Sequence, residues 1–127
     1  MLNGTCLCGA VAFEITGDLA PPSACHCSQC RKQSGHIWAS THVPETHLTL
    51  TSRDSLRWYA ASDTAKRGFC GTCGSFLFWK HSGEDMISIA MGALSAPTGA
   101  TLSRHIFVAD KGDYYQINDP IPQLETS

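Results

Sequence analysis

A mainly β domain is the fold class this sequence predicts, and three observations carry the prediction. Apolar and polar residues alternate with period two in several short stretches. Those stretches are rich in β-branched and aromatic residues. Turn signals separate them about every ten residues, the rhythm of an all-β chain. At 127 residues and 43% hydrophobic content, there is room for one core.

Taken in order, Val11, Phe13 and Ile15 alternate with Ala12, Glu14 and Thr16, which predicts a half-buried strand. Gly17-Asp18 and then Pro21-Pro22 stop it. Period-two stretches follow at residues 37–43, 47–51, 55–59, 75–80 and 86–90, with a last set at 105–108 and 114–117. Residues 28–34 alone look helical, over about two turns. Residues 119–127, with Pro120 and Pro122, read as extended or frayed. The expected organisation is a single domain over residues 2–123 and a C-terminal tail over 124–127, without repeats or linkers.

Nine Lys and Arg against eleven Asp and Glu give a net charge of −2. That balance argues against an electrostatic nucleic-acid binder and against a polybasic membrane-surface protein. The N-terminal MLNGTCLCGAVAFEITGD has neither a basic start nor an apolar run of signal-peptide length. No segment approaches about 18 consecutive apolar residues, so no membrane-spanning helix is expected. A reducing cytoplasm is the expected compartment, and there clustered cysteines bind metal or do chemistry.

Seven cysteines in so short a chain, with six histidines, are its unusual feature. An odd count cannot be consumed by disulfides alone. They fall into Cys6-x-Cys8-Gly9, Cys25-x-Cys27-x-x-Cys30 and Cys70-x-x-Cys73-Gly74. The third is a zinc knuckle by its local chemistry: two thiolates three apart face one ion, and the glycine supplies a positive-φ turn that aims N–H groups at sulfur. Joined with the first cluster it makes a closed Cys₄ site, a structural zinc on Cys6, Cys8, Cys70 and Cys73. Such a site fastens the first strand to a distant hairpin, and metal binding becomes folding energy. A crossed pairing, with Cys25–Cys30 meeting Cys70 and Cys73, stays open at this level.

Cys25, Cys27 and Cys30 remain, and three ligands with one open position is the arrangement of a catalytic zinc. Three thiolates make a poor generator of hydroxide, so a soft substrate thiolate is the natural fourth ligand. If Cys30 opens the short helix, the helix N-terminus depresses its thiol pKa. His26, His36 or His42 as a fourth ligand is the competing closed-site reading. A thioredoxin-like Cys27–Cys30 pair is disfavoured by the lack of a βαβ pattern. His26 reads as a solvent-facing spacer, and Trp38, Trp58 and Trp79 as core or pocket walls. His105 reads as structural, and Asp110–Lys111 as a turn salt bridge.

The three clusters, with the flanking residues of Cys25-His26-Cys27-Ser28-Gln29-Cys30-Arg31-Lys32-Gln33-Ser34-Gly35 and the late His105-Ile106-Phe107-Val108-Ala109-Asp110-Lys111, resemble the GFA family. That family comprises glutathione-dependent formaldehyde-activating enzymes and centromere protein V-type domains. The agreement runs from Cys6 to about Gln123; Asp113-Tyr114-Tyr115 departs from it, where relatives often carry a proline or tryptophan before the aromatic. The resemblance implies an Mss4-like fold of coiled antiparallel sheets. It also implies two zinc sites, structural on Cys6, Cys8, Cys70 and Cys73 and catalytic on Cys25, Cys27 and Cys30. Partial occupancy of the second is what a weakly held catalytic metal would give. The implied activity is that of a carbon–sulfur lyase interconverting S-(hydroxymethyl)glutathione with glutathione and formaldehyde, or handling a related small thiol adduct. Arg31, Lys32 or Lys111 would meet the carboxylates of such a thiol. The alternative is a non-catalytic zinc-stapled binding or scaffold module. Neither a nucleic-acid nor a membrane partner is expected.

Overall fold

A computed structural model describes residues 1–127 and divides the strands between two sheets. Strands β1 (Leu2–Thr5), β2 (Ala12–Ile15) and β5 (Leu48–Ser52) form an antiparallel sheet in the order β1-β2-β5. The larger sheet is built from β3 (Ser23–Cys25), β4 (Trp38–Pro44), β6 (Leu56–Ala60), β7 (Ala65–Cys70), β8 (Phe76–His81), β9 (Met86–Ala90) and β10 (Arg104–Ile106). Its order is β10-β3-β4-β9-β8-β7-β6, antiparallel except where β10 lies parallel to β3. The one α-helix, α1 (Ser28–Ser34), connects β3 to β4. The expected mainly β class is the observed one.

The main core gathers residues of both sheets: Val11, Phe13 and Ile15 join Val43, Leu77, Phe78, Ile87 and Ile89. Alternation along β2 puts Phe13 and Ile15 on the buried face, and Phe13 meets Phe78 edge-on at 5.1 Å. Such a pair adds about 0.5–1.5 kcal/mol beyond its buried area. Gly4 faces Phe13 across the β1–β2 pair, and a Cβ at Gly4 would stand 2.3 Å from the Phe13 ring. Only glycine lets that ring lie under the strand. A smaller cluster of Cys25, Cys30, Trp38, Phe76 and Ala90 fills the other end of the large sheet.

Strands β1, β3 and β7 have no counterpart among the sequence expectations. Their stretches, LNGT, SAC and AKRGFC, are short or carry Asn, Gly, Lys and Arg, which hide the alternation. Residues 114–117 are not a strand; the side chains of Tyr114 and Tyr115 hydrogen-bond to His36 and His26 instead of packing a sheet. The 105–108 stretch breaks at Phe107, whose φ of 55° opens the 3₁₀ turn Val108–Asp110. The chain end is extended but not frayed: Leu124 N–H donates to His105 C=O at 2.9 Å, and Phe107 N–H to Thr126 C=O at 2.9 Å. No helix is long and apolar enough to cross a membrane.

Candidate metal centres

Four sulfurs meet where the two sheets are joined. Cys6 follows β1, Cys8 lies in the turn before β2, Cys70 ends β7, and Cys73 lies in the turn to β8. Their Sγ atoms all lie within 4.8 Å of one another, with Cys6–Cys8 at 3.6 Å and Cys8–Cys70 at 3.8 Å. A tetrahedral ion with metal–sulfur bonds of about 2.3 Å has sulfur–sulfur edges of about 3.8 Å, so the donor set fits a tetrahedral thiolate metal. Gly9 and Gly74 both take φ of +84°, which turns the chain and leaves backbone N–H groups facing sulfur. Val11 N–H donates to Cys6 Sγ, while Thr72 and Cys73 N–H donate to Cys70 Sγ, both at 3.4 Å. The Ser75 hydroxyl, 3.2 Å from Cys73 Sγ, and then backbone donors pull the Cys73 thiol down to about 5.

The other three sulfurs also gather. Cys25, Cys27 and Cys30 place their Sγ atoms within 4.8 Å of one another, and no fourth His, Cys, Asp or Glu joins the group. The crossed pairing does not occur. Cys25 ends β3, Cys27 caps α1 through a 3.3 Å bond from Cys30 N–H, and Cys30 lies within the first turn. The expectation that Cys30 opens the helix is corrected by this cap: the N-terminal position belongs to Cys27. Cys25 and Cys30 are buried, and Cys27 alone is half-buried, so solvent reaches the group through Cys27. Hydrogen bonds from Cys25 and then Cys30 depress the Cys27 thiol to about 2, while the same cluster drives Cys25 upward. One anionic sulfur, Cys27, is therefore favoured without any metal, while Cys25 and Cys30 are pushed upward and give up their protons only to a bound cation.

From His26, between two of these cysteines, a polar chain runs from the interior out to solvent at Asp119. His26, fully buried, hydrogen-bonds through Nε2 to His105 Nδ1 at 2.8 Å and through Nδ1 to the Tyr115 hydroxyl at 2.6 Å. His105 Nε2 meets both Asp119 carboxylate oxygens, at 2.9 and 3.0 Å. A carboxylate only accepts, so His105 donates to Asp119; with both rings neutral, His26 donates to His105 and Tyr115 donates to His26. Burial, and then the neighbouring His105 charge, push the His26 pKa below its ordinary value. His26 is thus no solvent-facing spacer. The parallel β10–β3 pairing sets Ile106 beside Cys25 and so brings His105 to this place.

The GFA family, described as glutathione-dependent formaldehyde-activating enzyme, matches residues 1–110. The chain belongs to the GFA family. Among its relatives is an uncharacterised lyase of Schizosaccharomyces pombe, 27% identical over 118 residues, spanning 89% of this chain and 82% of that protein. Another is a Halomonas elongata protein provisionally named a glutathione-dependent formaldehyde-activating enzyme, 26% identical over 130 residues, spanning 92% of this chain and 81% of that one. A crystal structure of a Rhodobacter sphaeroides protein superposes with a TM-score of 0.59 at 23% identity, covering 95% of this chain and 98% of that one, and shows the same fold.

Several residues of this GFA chain that sequence reasoning missed stand at the three-sulfur group. Arg67, 5% exposed on β7, brings Nη1 and Nη2 to 3.6 and 3.7 Å from Cys30 Sγ. Tyr115 and Asp119 complete the histidine chain, and His36 holds Tyr114 at 2.6 Å. Neither histidine is available as the expected fourth ligand, and His42 is exposed on β4 away from the group. No local motif announces Arg67 or Asp119; they arrive through long-range pairing. Lys111 is not paired with Asp110 as expected: it donates to the Gly112 and Tyr115 carbonyls at 3.0 and 2.6 Å, and lies 4.9 Å from the Tyr115 ring centre. Trp38 and Trp79 pack in or against the smaller core cluster, while Trp58, 37% exposed and covered by Lys66, walls a separate cavity with Phe78 and Ile87.

Two cavities flank α1. The larger, about 830 Å³, is lined by Trp38 and Phe76, which also pack with Cys25 and Cys30, and by Gln33, Ala90 and Leu94. The smaller, about 520 Å³, is lined by Gln29, Lys32, Gln33, Tyr59, Arg67 and Phe69 among others. No sulfur of the three-cysteine group lines either. We take the smaller as the one tied to that group, because Arg67 borders it and touches Cys30.

Proposed function

We propose that this GFA chain is a zinc-dependent carbon–sulfur lyase acting on adducts of glutathione, or of a related small thiol, with formaldehyde. The observation that carries the reading is a group of three cysteine sulfurs, reached by solvent through Cys27 and joined by no fourth ligand. The family match and the relatives named lyase and formaldehyde-activating enzyme support it. In this reading Cys6, Cys8, Cys70 and Cys73 hold a structural zinc and Cys25, Cys27 and Cys30 a catalytic one, since four thiolates close a tetrahedron and three leave a position for substrate. Zinc at the second site supplies a Lewis acid for a substrate thiolate sulfur, favouring the deprotonated thiol at neutral pH.

The chain's own groups do the rest. The Cys27 cap and the β3–β10 pairing fix the three sulfurs before substrate arrives, so little reorganisation remains for the reacting complex. Lys32, exposed at the mouth of the smaller cavity, offers a cation to the carboxylates of a thiol such as glutathione. Lys111 is withdrawn from that role by its two carbonyl contacts. Formation of the carbon–sulfur bond joins the thiolate sulfur to the formaldehyde carbon, and the resulting alkoxide takes a proton from water; cleavage reverses both.

The test loads the protein with zinc and follows S-(hydroxymethyl)glutathione formation beside Cys27→Ser. Wild type is expected to exceed the uncatalysed rate and Cys27→Ser to match it. Equal rates for the two proteins, with two metals bound to wild type, would leave a zinc-stapled scaffold instead.

A further inference from the structure

Arg67 is a buried cation in search of an anion. Its side chain is 5% exposed, and no carboxylate pairs with it: Glu45 pairs with Lys80, and Asp119 accepts from His105. Its guanidinium lies 5.2 Å from the Phe76 ring centre, and its Nε is buried without a hydrogen-bond partner. Gln33 Oε1, at 3.5 Å, is a neutral contact. What the two Nη groups approach together is Cys30 Sγ. An unpaired buried guanidinium is costly, and arginine stays charged in proteins, so the position makes sense only beside a permanent negative charge.

Charge counting says what that arrangement selects. A divalent ion with three thiolates carries one net negative charge, which repels an incoming anion. The guanidinium cancels it. Arg67 also borders the smaller cavity, so its charge acts on the space beside the group as well as on Cys30.

We propose that Arg67 is the built-in counter-ion of the Cys25–Cys27–Cys30 group, and that it sets the group's preference for an anionic sulfur as fourth ligand over a neutral one. The inference rests on the proposed metal-holding role of that group and names the ligand class that it takes. Arg67 acts through Cys30 and through the local field, which makes it a positioning residue.

The experiment uses the full chain loaded with Co²⁺ and reads ligand-field bands during titration with 2-mercaptoethanol and, separately, imidazole. A thiol without carboxylates keeps Lys32 out of the result. Arg67→Met is expected to weaken thiol binding on the order of 10- to 100-fold, the scale of one nearby charge in a partly buried site. Imidazole binding should stay within about 2-fold, and Arg67→Lys should recover part of the thiol affinity, since lysine keeps the charge without the two-pronged reach. Two Co²⁺ per chain in each variant report that both sulfur groups persist. Equal changes for thiol and imidazole, or none for thiol, overturn the role of Arg67. A wild type that binds two Co²⁺ yet shows no response to thiol overturns the underlying reading itself. If Arg67→Met fails to fold, Arg67→Lys decides alone: thiol affinity weakened with imidazole unchanged supports the inference, and both unchanged or both weakened overturn it.

Discussion

The two sulfur groups use the same side chain in opposite surroundings. The four-sulfur group sits on turns, and its partners are local: backbone N–H groups, Ser75, and the glycines that shape the two knuckles. Its sulfurs come from distant parts of the chain, with Cys8 and Cys70 separated by 62 positions. The three-sulfur group is the reverse. Its cysteines lie within one short segment, but its supports are remote: Arg67 from β7, His105 from β10, and Tyr115 and Asp119 from the chain beyond. The first group brings remote strands together through local chemistry; the second holds local residues in place through remote strands. A site that only staples needs no help, whereas an incomplete coordination set must be kept from collapsing or rearranging, which is work for surrounding side chains.

The largest effect should come from the staple. Cys70→Ser removes the one fully buried sulfur of the four. Because metal binding at a cross-chain site is folding free energy, stability should fall by several kcal/mol, and the variant should lose its cooperative thermal transition by circular dichroism. The same substitution at Cys27, on the other group, should leave that transition in place while metal analysis falls from two ions to one. Similar thermal transitions for both variants would erase the distinction between staple and site.

A smaller effect is expected where the remote support is cut. His105→Ala leaves the buried Nε2–H of His26 without an acceptor and frees Asp119. An unsatisfied buried donor costs about 1–3 kcal/mol. The comparison is sharpened by metal retention: a chelator should strip one ion faster from the variant than from wild type, with the second ion released at the wild-type rate. Faster release of both ions would mean that the histidine chain supports the whole fold and not one group.

This asymmetry also explains what could be read from the chain before its structure. The cysteine spacing, the glycines at positions 9 and 74, and the short helix are local signals, and each corresponds to an observed feature. Strands β2, β4, β5, β6, β8 and β9 were legible through alternation. Arg67 was not, because AKRGFC carries no clear alternation of its own and becomes a strand by pairing with β6 and β8 on either side. His26 misleads for a related reason. A histidine between two cysteines looks like a spacer, and only the parallel β10–β3 register supplies the partner that buries it.

The smallest expected effect is in pH. Burial, followed by the charges of His105, His36 and Lys111, holds the His26 pKa below its ordinary value of 6.5, with Asp119 acting weakly the other way. The unfolded chain therefore binds a proton at this position before the folded chain does as pH falls. The stability tied to a neutral His26 is complete above about pH 6.5 and is lost as pH drops below that toward the folded value. His26→Gln has no such proton to take up. With metal saturating both groups, the stability gap between wild type and His26→Gln should narrow from about pH 7.5 to about pH 5.5, by at most about 1.4 kcal/mol per unit below 6.5. Urea unfolding at the two pH values measures it. A gap that widens on acidification would mean that His26 is protonated in the folded protein, with Nδ1 donating to the Tyr115 hydroxyl instead of accepting from it, and would leave the four-sulfur group, which has no histidine beside it, unaffected.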